Sequence, residues 1–173
     1  MLWTAPDIDR PRQATAGGER QMLQSLLVSY RHTLLRKCQG LTAEQLKTHS
    51  VDPSNLSLLG LVRHMTDVER GWFRRRMAEQ SIAFAHRDDT SVDGAFDNSD
   101  FADAEADYAL YRAEFALCDQ AVADLSLDHT CEHPHFPDKL SLRWVFLHMI
   151  GEYARHCGHA DLLRERIDGA TGL

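Results

Sequence analysis

The sequence predicts an all-α fold, a four-helix bundle with a long loop between its second and third helices. Three observations carry this expectation. Four long stretches repeat apolar residues at three- and four-residue spacing, the period of a helix with one buried face. No stretch alternates apolar and polar residues as a half-buried strand does. The 173 residues are 43% hydrophobic and 26% charged, enough apolar chain to bury a core without disulfide support.

The elements follow in order. Residues 1–15, with Pro6 and Pro11 among polar neighbours, show no apolar period, so an irregular N-terminal arm is expected there. Residues 16–173 are expected to form one bundle domain. The first helix runs from about Gly18 to Cys38 on Leu23, Leu26, Leu27, Tyr30, Leu34 and Leu35, and stops at Gly40. Thr42 with Gln45 three residues on forms a capping-box pattern that opens a short helical turn. The second helix, about Ser54 to Glu79, carries Leu58, Leu61, Val62, Met65, Val68 and Trp72. Residues 80–101 are rich in Asp, Ser and Ala and read as a loop anchored by Phe84 and Phe96. The third helix spans about 102–124, with Tyr108, Tyr111, Phe115, Cys118 and Val122 on one face. The HPHFPDK segment interrupts any helix between 126 and 140. The fourth runs from about 141 to 167 and ends at Asp168–Gly169.

Charge and composition exclude several functions. A net charge of −7 argues against a nucleic-acid partner, which needs a basic footprint. The one dense basic run, Arg74–Arg76, falls at a helix end, where cations complement the macrodipole. No apolar run approaches the roughly 20 residues of a membrane span. The N-terminal residues lack the basic-then-apolar layout of a signal peptide. Cys38, Cys118, Cys131 and Cys157 match no zinc-finger spacing and read as reduced thiols, so the cytoplasm is the expected compartment.

Ten histidines stand out, six of them after residue 128. At about 100° per residue, with Glu152 at 0°, His156 falls near +40°, His159 near −20° and His148 near −40°. The buried stripe of this helix, from Val145, Met149, Tyr153 and Leu163, centres near +80°, so His156 lies inside it and Glu152 at its margin. On the second helix His64 lies at the stripe's margin and Glu69 well inside it. Thus His64, Glu152 and His156 can face a shared interior. An i, i+4 pair is a bidentate clip, and a third ligand from a facing helix leaves open positions for water or substrate, the mark of a catalytic metal site. Two imidazoles and one carboxylate suit Zn²⁺, Ni²⁺, Fe²⁺ or Mn²⁺. Hydrogen-bonded interior histidines, with Glu152 paired to Arg155 or Arg143, satisfy the same positions. Glu69 either orients His64 or bonds a buried tyrosine or arginine. His133 and His135 read as surface loop residues and Cys157 as packing.

The segment SLLGLVRHMTDVERGWF (Ser57–Phe73), with LRWVFLHMIGEYARHCGHADLLRERIDGATG (Leu142–Gly172) far downstream, resembles the DinB-like superfamily of metal-binding four-helix bundles. It is most similar to a mycothiol-dependent-type actinobacterial branch of unknown function. The resemblance runs from about Gly18 to the C-terminus. It implies a divalent metal, zinc foremost, on His64, Glu152 and His156. The fourth-helix pair is Glu-xxx-His as in the mycothiol-dependent members, not the commoner His-xxx-His. It also implies a thiol S-transferase or isomerase acting with mycothiol or another low-molecular-weight thiol on a small electrophile, and a homodimer. A metal-binding stress-response or sensor bundle without catalysis is the alternative. The residues identify neither the thiol nor a catalytic side chain. Arg63, Arg143 and Arg155 are the nearby candidates for recognising a polar cofactor.

Overall fold

A computed structural model describes residues 2–88 and 90–172. Four long helices dominate: α1 (Glu19–Cys38), α3 (Leu58–Glu69), α5 (Ala104–Ala121) and α6 (Leu142–Asp168). Two short ones, α2 (Ala43–Lys47) and α4 (Gly94–Asp97), sit in the connections. The result is an all-α bundle: α1 packs along α6 and α3 along α5, and α3 also meets α6. Leu34, Leu61, Val62, Met65, Tyr111, Met149 and Tyr153 are fully buried between them. No described helix is long and apolar enough to cross a membrane.

Side-chain caps set the helix starts. Thr42 and Gln45 form the expected capping box on α2. Ser57 accepts from the Gly60 N–H, so α3 begins at Leu58 rather than near Ser54. Asp103 caps α5 and Ser141 caps α6. Gly169, at φ 78°, ends α6 in the left-handed conformation that glycine adopts without strain. Toward the N-terminus, Ala5 exchanges backbone hydrogen bonds with the turn after α1, donating to Leu41 and accepting from Gly40.

Two features depart from expectation. The second helix does not run on as α-helix beyond Glu69. Residues Arg70–Met77 wind as a π-helix, with the Ala78 N–H bonding the Phe73 carbonyl at 3.1 Å. Within this segment Arg70 and Arg74 both grip the buried Glu114 carboxylate of α5, at 2.7 and 2.8 Å. Arg74 therefore does more than complement a helix dipole. A two-stranded antiparallel ribbon, β1 (Thr130–Cys131) and β2 (Leu140–Ser141), closes the 132–139 loop. Two residues per strand are too few to show an alternation in the sequence.

A polar chain links the four long helices inside the apolar core. Arg31 of α1 donates twice to Glu69 of α3, each at 2.7 Å. Tyr153 of α6 donates to Glu69 at 2.8 Å, and Tyr111 of α5 donates to Tyr153 at 2.9 Å. Asp119 takes a further Arg31 N–H at 2.8 Å. Of its two expected roles, Glu69 thus has the second: it binds a buried arginine and tyrosine.

Candidate metal centre

His64 lies in the middle of α3, and Glu152 and His156 are one turn apart in the middle of α6. The structure brings the three together, with one ligand atom from each lying within 4.8 Å of the others. His156 is 9% exposed. Its Nε2 stands 3.5 Å from Glu152 Oε2. The His64 and His156 rings meet edge-on with centroids 4.8 Å apart. Phe96 of α4 stacks on His64 at 5.2 Å. Gly60, one turn before His64, makes room for it, since a Cβ there would lie 2.8 Å from the Phe96 ring.

The electrostatics favour a cation. Burial and the neighbouring His156 push His64 down to about 4, so its imidazole is neutral at neutral pH and keeps a lone pair to offer. The contact with His156 outweighs burial and holds the Glu152 carboxyl below its ordinary value. Donors bonding at about 2.0–2.2 Å to one ion stand at most about 4 Å apart, so small side-chain rotations bring this trio into range. The ring of His156 is already oriented. Its Nδ1 lies 3.3 Å from His159 Nδ1, which leaves Nε2 facing Glu152. Two imidazoles and a carboxylate with this geometry fit a divalent transition metal.

The surroundings sort the remaining expectations. His148 sits with Nε2 3.8 Å from Glu152 Oε1. Its ring stacks on Trp144 at 4.8 Å and meets Trp72 edge-on at 4.8 Å. Arg155 reaches Glu152 at 3.6 Å, but Arg63 is bound to Asp107 and Arg143 to Glu19 and Asp128. Only one of the three candidate arginines therefore lies at the cluster. His133 is not a free surface residue: it is half-buried and stacks on Trp72 at 5.1 Å, because the β1–β2 ribbon folds its loop back onto the helices. Burial pushes the Cys38 and Cys157 thiols up to about 12, and Cys118 and Cys131 are raised for the same reason. None of the four is a ready nucleophile.

The family model described as Mycothiol-S-transferase matches residues 22–169. The chain belongs to this family. The mycothiol S-transferase family lies within the DinB-like superfamily, and the match takes in α3, α5, α6, all of α1 after its first three residues, and the His64–Glu152–His156 cluster. No curated protein and no solved structure matches the chain.

The stacking of Phe96 on His64 and of Trp144 on His148 escaped sequence reasoning. Gly60, placed four residues before His64 on an apolar face, was the available signal for the first. Trp144, four residues before His148, was the signal for the second.

Proposed function

We propose that the protein is a metal-dependent thiol S-transferase that joins mycothiol, or a thiol like it, to a small electrophile. The observation that carries this reading is the convergence of His64, Glu152 and His156 in a chain of the mycothiol S-transferase family. These three side chains hold a divalent metal, zinc foremost. When bound, the metal supplies Lewis acidity that favours the cofactor thiol as its thiolate at neutral pH.

The chain's own residues prepare and shield that position. Glu152 brings the negative charge that retains a dication, and His64 adds a neutral donor. His159 fixes the tilt of His156 through Nδ1, and His148 borders Glu152 on the other side. Phe96, stacked on His64, and Trp144, stacked on His148, place apolar surface beside the cluster.

Metal analysis coupled to a transfer assay tests the reading. Wild-type protein purified without added metal is expected to carry about one equivalent, the stoichiometry of a three-ligand catalytic site. It is expected to consume monochlorobimane in the presence of mycothiol. His156→Ala is expected to lose both metal and turnover, and chelation to lower the melting temperature of wild type only. Metal retained by His156→Ala overturns the ligand assignment. Metal bound without turnover favours a sensor or scaffold role over a transferase.

A further inference from the structure

Beyond His64 on the same face, α3 and its π-helical continuation form one wall of a groove of about 590 Å³. Val68, one turn after His64, and Trp72, two turns after it, belong to that wall. Trp72 also touches His148, the neighbour of Glu152, so two rings, Trp72 and His148, connect groove and cluster.

The groove collects positive charge. Arg75, Arg76 and Arg87 line it, joined by His133 and His135. Its two lining carboxylates are committed elsewhere. Asp67 accepts the backbone N–H groups of Ala85 and His86, at 2.6 and 3.0 Å. Asp88 accepts from the Thr90 hydroxyl and the Thr90 and Ser91 N–H groups, at 2.7–2.9 Å. Among the described residues, neither Arg75, Arg76 nor Arg87 pairs with a carboxylate, whereas their neighbours Arg70 and Arg74 share Glu114.

Two of these guanidiniums are held in place. Arg75 and Arg87 both stack on the Phe84 ring, with Cζ 4.0 and 3.9 Å from its centroid. Phe84 in turn rests on the bare backbone of Gly71, where a Cβ would lie 3.1 Å from the ring. Among the described residues the enclosed Arg87 Nε has no hydrogen-bond partner. Two cations gathered on one ring repel each other, and a buried donor without an acceptor is costly. An oxyanion in the groove offsets that repulsion, and a guanidinium fork matches its two oxygens.

We propose that this groove binds the anionic group of the electrophilic substrate: a carboxylate or similar oxyanion on a small, partly apolar molecule. Its oxygens meet Arg75 and Arg87, and its apolar body points along Trp72 toward the metal cluster. The role as a substrate seat rests on the transferase reading, but anion binding in the groove does not.

The test is isothermal titration of the full chain, without thiol, with a matched pair of probes: 4-chloro-3-nitrobenzoate and the uncharged 4-chloro-3-nitrobenzamide. Wild type is expected to bind the acid at least about tenfold more tightly than the amide, a modest return for a bidentate charge-assisted contact. Arg75→Gln with Arg87→Gln is expected to abolish that preference. Arg87→Met alone is expected to weaken acid binding while leaving the melting temperature unchanged or raised, because it removes an unpaired buried donor. Equal binding of acid and amide, or a preference that survives in the double variant, overturns the proposal. So does displacement of the acid by mycothiol, which assigns the groove to the thiol. Acid binding without any transfer activity supports the groove and overturns only the transferase reading.

Discussion

His64, Glu152 and His156 are held by different means. His64 is clamped between two rings, Phe96 and His156, while His156 is turned by His159 and Glu152 is flanked by His148 and Arg155. Helical phase alone placed these three on facing sides of two helices, because a buried stripe leaves few orientations for a residue at its margin. What phase could not give is the supporting ring of contacts, since Phe96 arrives from a loop with no period of its own. Charge at single residues makes a separate prediction. Burial would raise the Glu114 carboxyl, but hydrogen bonds from Arg70 and Arg74 prevail and hold it below its ordinary value. A depressed carboxyl contributes stability that is present above its unfolded value, about 4.3, and is lost as pH falls through the lower folded value. Glu114→Gln is therefore expected to be less stable than wild type at pH 7, with a gap that narrows on acidification toward pH 3. Urea melts at stepped pH check this, and a constant gap refutes it.

At the scale of elements, the caps and stops were readable because each rests on a local hydrogen bond: Thr42–Gln45 for α2, Ser141 for α6, Gly169 at its end. The π-helical turn was not readable, since the sequence of Arg70–Met77 carries no local signal for it; its Arg70 and Arg74 are tied to one carboxylate on another helix. The short helix α4 is likewise fixed by what lies beneath it. Phe96 fits only because Gly60 has no side chain. Gly60→Ala is expected to favour α3 intrinsically by about 1 kcal/mol, yet to destabilise the protein by driving Phe96 off His64. The loss of shielding of the His64 ring protons from Phe96 in NMR spectra reads the displacement directly. An unchanged His64 environment with raised stability counts against this account.

At the scale of the molecule, the all-α architecture was legible from periodicity, and the pairing of the helices was not. That pairing is recorded in the buried chain Arg31–Glu69–Tyr153–Tyr111, whose members come from all four long helices. Each residue alone reads as an oddity on an apolar face, and only their mutual satisfaction explains them. Removing one partner leaves a charge without its counter-charge. Arg31→Met is expected to destabilise by about 3–5 kcal/mol, the range for breaking a buried ion pair. Arg31→Met combined with Glu69→Gln is expected to recover part of the loss. Chemical denaturation of the single and double variants measures the coupling, and strictly additive losses refute it.

The ring contact between His64 and His156 has a kinetic side. It joins positions far apart along the chain, and closing so long a loop carries an entropy that no early, local event repays. His64 is therefore a stranger to the Glu152–His156 pair in the unfolded chain and becomes its neighbour only when α3 and α6 have docked. A refolding experiment with a chromophoric divalent ion such as Co²⁺ is expected to see its colour appear only once α3 and α6 have docked. The cluster is in that sense a clock hand for the completed bundle, and a nascent chain still lacking α6 has no such place to trap an ion.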